Sequence, residues 1–316
     1  MSAHLGLDLG GTNIKWVVLD HELTPLADGL LPTEGDGGPA HVIERLALAG
    51  REAIAAAGPI STAGVGVPGI YDEATGTIRF FTNLPGPWPG QPLAAPLSEA
   101  LGVPVPLIND ARAFTLAEAR LGAGRGCATL IGVTLGTGVG GGIVLDGKLV
   151  LGHSGTAGEI GHQVIDMRPD APVCGCGNTG CLEAFVGGPR LALAAGSASA
   201  REAFAADARG EPRARAAVDA WIDHLAIGLA NLVTVLTPDR IVLGGGVAAA
   251  FERIVVPLRE RLAAHVHLTD PARVEVVRSA LGVRAGAIGA ALHGLEASRE
   301  PMQTPAGAGG PECLRQ

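Results

Sequence analysis

A chain of 316 residues with 47% hydrophobic and 17% charged residues can bury a large core and is long enough for two domains. Its formal net charge of −8 weighs against a nucleic-acid partner, because neutralising phosphates needs clustered Lys and Arg. No apolar run reaches the ~18 residues of a membrane span without a glycine or a charge, and the opening MSAHLGLDLGG lacks the basic-then-apolar order of a signal peptide. The expected compartment is therefore the cytoplasm, where reduced cysteines are free to bind metal.

In chain order, HLGLDLGGTNIKWVVLD (4–20) reads as two strands joined by a tight turn at Gly10-Gly11-Thr12, with Asp8 just before it. A glycine turn with open N–H groups and a hydroxyl can cradle phosphate oxygens, and an acid beside it can hold the waters of Mg²⁺. Taken alone, a plain β-hairpin explains the same residues equally well. Ala40 to Ala57 has helical spacing and stops at Gly58-Pro59. AGVGVPGIYD (63–72) reads as a buried strand ending at Pro68-Gly69. IRFFTNLPGPWPG (78–90) is a strand and loop with Asn83 where the loop begins, and Leu93 to Leu101 is a short helix. VPVPLINDARAFTLAEARLGAG (103–124) predicts a strand, then Asn109-Asp110, then a helix ended by Gly122. An acid at the end of a strand and the mouth of a helix stands where α/β proteins place catalytic groups. It is also where Asn and Asp serve as plain helix caps.

The segment GVTLGTGVGGGIVLD (132–146) aligns without gaps on GLDLGGTNIKWVVLD (6–20), at an offset of 126. A repeat of a whole strand–turn–strand unit is an architectural signal, and two lobes each opening this way could grip one nucleotide from both sides. Gly136-x-Gly138-x-x-Gly141 also matches the dinucleotide fingerprint, but IVLDGKLVL follows where that fingerprint needs a helix, and it turns at Asp146-Gly147 like another hairpin.

EIGHQVIDMRPDAPVCGCGNTGCLE (159–183) carries the most specific signal. Cys174, Cys176 and Cys181 follow His162 as H-x11-C-x-C-x4-C. Three thiolates and one imidazole close a tetrahedral zinc site with no open position. Gly175, Gly177 and Gly180 supply residues that tolerate positive φ around such a knuckle. Glu159 and His162, three apart, would share a face of a helical turn. Cysteines one residue apart rarely meet disulfide geometry, which weighs against a bridge between them. Beyond this loop, Pro189 to Ala208 and Pro212 to Leu236 read as long helices. Asp239 to Leu243 is a strand leaving through Gly244-Gly245-Gly246, a third glycine turn suited to the ribose and base end of a nucleotide. Val274 to Ser279 is the last strand. Leu281 to Leu295 is a final helix with small residues at Ala285, Gly286, Gly289 and Ala290, and a Pro/Gly-rich polar tail with Cys313 follows.

DLGGTNIK (8–15), PGI (68–70), ND (109–110), TLGTGVGGG (134–142), EIGH (159–162), CGCGNTGCLE (174–183) and LGGGV (243–247) stand in this order over nearly the whole chain to about residue 296. In these motifs the chain resembles the ROK family (repressor, open reading frame, kinase), whose sugar kinases belong to the actin-like ATPase superfamily. The resemblance implies an α/β fold of two actin-like (ribonuclease H-like) lobes with duplicated mixed sheets and a zinc knuckle. The expected lobes are 1–112 and 113–280, with the helix 281–296 packing back on the first, and a disordered tail at 297–316.

The resemblance also implies roles. Asp8, Gly10, Gly11, Thr12, Asn13 and Lys15 form the first phosphate motif, Gly136, Thr137 and Gly138 the second, and Gly244, Gly245 and Gly246 the adenosine motif. Asp110 is the expected catalytic base. Gly69, Asn83, Asn109, Asp110, Glu159, His162 and Glu183 are the expected sugar-binding residues. Structural Zn²⁺ takes His162, Cys174, Cys176 and Cys181. The cofactors are ATP, Mg²⁺ and Zn²⁺, the assembly a homodimer, and neither nucleic acid nor membrane is a partner. The expected activity is ATP-dependent phosphorylation of the 6-hydroxyl of a hexose, with glucose first and N-acetylmannosamine, N-acetylglucosamine or fructose as alternatives. A non-catalytic regulator of the same family is the contrasting class; it would carry a winged helix domain ahead of the first phosphate motif, where this sequence has seven residues before Asp8. One departure from the common glucokinase relatives stands out: Arg112 occupies the place where NDAN is frequent among them, and Phe114-Thr115 follow it.

Overall fold

The computed structural model describes residues 2–81 and 83–299. Residues 300–316, most of the expected tail, lie outside the described residues. The chain divides into two compact units, Met1–Leu107 with Ala290 onward, and Ile108–Gly289. The first division thus falls before the expected 112/113 boundary, and Asp110 belongs to the second unit instead of the first. The return falls at Gly289/Ala290, not at 280/281.

The first unit opens with β1 (His4–Leu9) and β2 (Asn13–Leu19), paired antiparallel from His4↔Leu19 to Leu9↔Ile14. β3 (Pro25–Pro32) adds an edge strand that the sequence pattern does not announce. A proline at each end and a largely exposed face hide it, and prolines are tolerated because the strand is an edge. After α1 (Gly38–Ala57), β4 (Thr62–Val67) runs parallel to β1. β1 and β4 are covered on both faces, so both are buried throughout instead of alternating. β5 (Gly69–Asp72) and β6 (Thr77–Phe81) form a separate two-stranded ladder. α2 (Ala94–Leu101) leads to β7 (Leu107–Asn109), and the main sheet order is β3-β2-β1-β4-β7.

The second unit starts with α3 (Asp110–Leu121), then the hairpin β8 (Leu130–Leu135) and β9 (Val139–Leu145). β10 (Lys148–Leu149) pairs with β9 across Asp146 and Gly147, whose φ values of 49° and 72° are the doubly left-handed turn that a two-residue hairpin requires. A hairpin, and no helix, therefore follows the glycines of 136–141. The repeat is real but needs a gap. Leu9 pairs Ile14 across the first turn, whereas Leu135 pairs Val139 across the second. The second turn is one residue shorter, so the offset falls from 126 before it to 125 after it (139 − 14), and Ile14 and Val139 occupy equivalent buried places.

α4 (Leu182–Val186), α5 (Gly188–Ala195), α6 (Ala200–Ala208) and α7 (Pro212–Leu236) follow. The single helix expected over 189–208 is two. Gly196 ends α5 at φ 71°, and Ser199 starts α6 by accepting from Glu202 N–H, while Glu202 Oε2 accepts from Ala198 N–H. α7 is long and apolar enough to cross a membrane by composition, but half of its most apolar window is buried in this unit. Val218, Trp221, Ile222, Leu225, Leu229 and Val233 recur at helical spacing into the core. β11 (Arg240–Gly244), α8 (Phe251–His265) and β12 (Glu275–Arg278) complete the sheet order β10-β9-β8-β11-β12. The last helix, α9 (Ala285–Arg299), follows a 3-10 turn at Gly282–Arg284, so it starts later than expected and includes 297–299 of the expected tail. The expected close packing on its small residues is present. A Cβ at Gly289 would lie 1.8 Å from the Ala113 carbonyl oxygen, and one at Gly294 would lie 2.1 Å from that of Ala63.

Candidate active site

In the first unit the β1–β2 turn closes through Gly10 N–H to the Asn13 carbonyl at 3.0 Å. Thr33, fully buried just after β3, braces it: its hydroxyl donates to the Gly10 carbonyl at 2.7 Å, and its N–H donates to that of Thr12 at 2.9 Å. No sequence signal marked Thr33. Asp8 is buried beside the turn with Lys15 Nζ at 3.3 Å. Burial pushes the Asp8 carboxyl above its usual range, and the Lys15 charge pulls it part of the way back. Gly11 faces the Asn83 backbone, whose carbonyl oxygen would be 3.0 Å from an added Cβ. Gly69 is required locally: φ is 133°, and a Cβ would lie 2.2 Å from the Phe80 carbonyl oxygen.

In the second unit α3 begins where β7 ends. Asn109 is its cap, accepting from Ala111 N–H at 3.1 Å and Arg112 N–H at 3.2 Å. Asp110 is thus not the cap. It is the first helical residue, half-buried, with Oδ1 accepting from Ala111 N–H at 2.8 Å. Arg112, two residues on, has a side chain only 3% exposed. It donates from Nε to the Ala157 carbonyl at 2.7 Å and from Nη2 to Glu159 Oε1 at 2.8 Å.

Glu159 precedes a 3-10 turn at Ile160–His162, closed by His162 N–H to the Glu159 carbonyl at 3.0 Å, so the two side chains do share one turn. His162 Nδ1 lies 3.6 Å from Cys174 Sγ, and Nε2 lies 3.9 Å from Glu159 Oε2. Cys176 Sγ and Cys181 Sγ are 3.7 Å apart, and the four candidate ligand atoms all fall within 4.8 Å of one another. Around a tetrahedral zinc ion, bond lengths of about 2.3 Å to sulfur and 2.0 Å to nitrogen put ligand atoms about 3.8 Å (S–S) and 3.5 Å (S–N) apart. The Cys174–His162 and Cys176–Cys181 separations match these values, and the donor set is one that suits such an ion. Two of the three knuckle glycines are left-handed, Gly177 at φ 90° and Gly180 at φ 77°; Gly175 is not. Burial pushes the Cys174 thiol up to about 12, while the Asn178 backbone N–H lowers that of Cys176. A divalent cation among them would deprotonate all three.

Glu183, on α4, is engaged with the protein. Oε2 accepts from Val139 N–H at 2.8 Å, and Oε1 is 3.6 Å from Cys174 Sγ. It thereby joins the cysteine loop to the second glycine turn, where a Cβ on Gly138 would lie 2.3 Å from it. That turn closes through Gly136 N–H to the Gly138 carbonyl at 3.0 Å and is held to the start of α5 by Gly188 N–H to the Gly136 carbonyl at 2.8 Å. The glycine pair before Pro189 was the available signal for this helix start. A cavity of about 630 Å³ opens beside it, lined by Gly136, Thr137, Gly188, Ser199, Phe204 and Gly246 among others, a volume suited to a small ligand. It brings the second and third glycine turns together. Gly246 faces it, whereas Gly244 packs on Phe114 and Gly245 on the Leu135 backbone.

The ROK family model matches residues 4–295. The chain is 34% identical over 306 residues to a glucokinase of Thermotoga maritima, covering 91% of this chain and 95% of that protein. It is 36% identical over 277 residues to an N-acetyl-D-glucosamine kinase of Yersinia pseudotuberculosis, covering 83% and 90%. Among solved structures it is similar to a ROK family glucokinase from Streptomyces griseus in complex with glucose and AMPPNP. The TM-score there is 0.79 at 28% identity, covering 93% of this chain and all of the other.

Proposed function

Because this chain belongs to the ROK family, we propose that it is an ATP-dependent hexose kinase acting on the 6-hydroxyl, with glucose as the first candidate substrate. The observation that carries the reading is the first turn of α3. Asn109 does the capping, and the next residue is a half-buried carboxylate, Asp110, that the helix does not need as a cap. In the proposed reaction Asp110 accepts the proton of the sugar hydroxyl. That oxygen attacks the γ-phosphorus of ATP, and the bond from phosphorus to the bridging oxygen breaks, releasing ADP. Such transfers depend on positioning and charge neutralisation. In the first unit Asp8 and the Gly10–Thr12 turn have that task; in the second, the Gly136–Gly138 turn holds phosphate oxygens and the 630 Å³ cavity takes the nucleoside. Mg²⁺, when bound, would supply further neutralisation near Asp8. Asn83, Asn109, Glu159 and His162 hold sugar hydroxyls. Glu183 acts more through the Val139 N–H and the cysteine loop. Zn²⁺ held by His162, Cys174, Cys176 and Cys181 keeps this loop in place. A cytoplasmic homodimer completes the reading.

The similarity to an N-acetyl-D-glucosamine kinase at 36% identity favours a second reading, an N-acetylhexosamine kinase. A panel of sugars with ATP in an ADP-release assay separates the two. Glucose is expected to give the highest kcat/KM, at least tenfold above N-acetylglucosamine and N-acetylmannosamine. The reverse order would overturn glucose while keeping the kinase.

A further inference from the structure

The sequence departure at Arg112 has a structural use. Its guanidinium is almost wholly buried, and it hydrogen-bonds to one stretch of the loop after β10: the Ala157 carbonyl through Nε and Glu159 Oε1 through Nη2. A buried charge has to be paired, and Glu159 is its partner. The two acceptors are two residues apart, with Gly158 at φ 93° between them, and a planar guanidinium fixes both in one plane. α3 therefore carries the Asp110 carboxylate and, two residues later, the clamp on the loop that presents Glu159 and His162.

The clamp also decides what Glu159 can offer. Oε1 is committed to Arg112, and Oε2 faces His162 Nε2 at 3.9 Å. Nδ1 of the same ring is turned to the cysteine cluster. An imidazole that gives its Nδ1 lone pair to a cation or a thiol carries its proton on Nε2. The result is one acceptor and one donor, too far apart to bond each other but placed so that a single oxygen atom can sit about 2.8 Å from both. A hydroxyl satisfies such a pair, since it accepts from Nε2–H and donates to Oε2. An amide nitrogen cannot accept, and an amide carbonyl cannot donate. We propose that Arg112 is a positioning residue of the sugar site, holding Glu159 with one oxygen spent so that Glu159 and His162 together read one free sugar hydroxyl. This rests on the proposal that Glu159 and His162 face the sugar.

The test compares the wild type with Arg112→Met, Arg112→Lys and Glu159→Gln. Calorimetry measures binding of glucose and of its monodeoxy analogues, and steady-state kinetics follow KM for glucose and for ATP. In the wild type one deoxy analogue should bind far more weakly than glucose. In Arg112→Met, glucose affinity should fall about ten- to hundredfold, the scale of a displaced positioning group. KM for ATP should stay within twofold, and the penalty for that one analogue should vanish. Arg112→Lys, which keeps the charge and not the fork, should fall between and covers the case in which the Met variant does not fold. Unchanged glucose affinity in folded Arg112 variants, with Glu159→Gln impaired, would overturn the role of Arg112 alone. Unchanged affinity in Glu159→Gln would overturn it together with the sugar-site reading. Parallel losses for glucose, ATP and thermal stability would reduce Arg112 to a structural buried pair.

Discussion

Replacing Asp110 with Asn is expected to leave the protein folded and sugar-binding while lowering kcat by at least about a hundredfold, the scale of a lost general base. The fold survives because Asn109 is the cap, and because an Asn carbonyl oxygen can keep the bond that Asp110 Oδ1 accepts from Ala111 N–H. The substitution removes the charge and the ability to accept a proton. Steady-state kinetics with thermal melting checks this: kcat should fall at constant Tm, with KM for the sugar little changed. A loss below tenfold would make Asp110 a bystander on the first turn of α3.

The second large effect is at the cysteine cluster. The wild type should carry about one zinc per chain and no iron by elemental analysis. Cys181→Ser should carry almost none, melt lower and bind sugar weakly. Cys181 is fully buried, precedes Glu183 on α4, and pairs with Val164 through an isolated bridge. Val173↔Thr179 is the other such bridge in the knuckle, and Cys174, Cys181 and Ala184 form its only small core cluster among the described residues. With so little apolar support, metal loss should cost about 3 kcal/mol or more, which in a unit of this size lowers Tm by about 6–12 °C. Cys127→Ser, outside the cluster, is the control and should keep its zinc. Full activity in metal-free wild type would contradict the structural role.

Much of this site could be read in the residues before any coordinates. The H-x11-C-x-C-x4-C spacing singled out the four side chains that the fold gathers within 4.8 Å of one another, because thiol clusters are rare and their chemistry narrow. The strand–glycine–strand repeat located both hairpins, although the shorter second turn could be seen only in the pairing of Leu135 with Val139. Asn109-Asp110 was ambiguous because the two are equally good caps, and only hydrogen-bond geometry separates them. Glu118 shows the limit. It lies in a helix with ordinary spacing, yet it is fully buried and accepts from the Ser279 hydroxyl, Ala280 N–H, Leu281 N–H and Ala123 N–H. Little in the local sequence distinguishes it from a solvent-facing glutamate, because three of these four partners are 161 to 163 residues away. Gly244 shows a second requirement that the sequence hides: its place in a glycine turn suggests a ligand, while the space a Cβ would need is taken by the Phe114 ring.

The central claim is that this chain transfers phosphate from ATP to the 6-oxygen of a hexose with Asp110 as base. Phosphorus–proton correlation NMR of the reaction with glucose and ATP tests it most directly. The account predicts ADP and one sugar phosphate in equal amounts, with phosphorus coupled to the protons on C6, and no such product from Asp110→Asn over the same time. Phosphorus coupled to another position, or ADP formed with inorganic phosphate and no sugar ester, would contradict it.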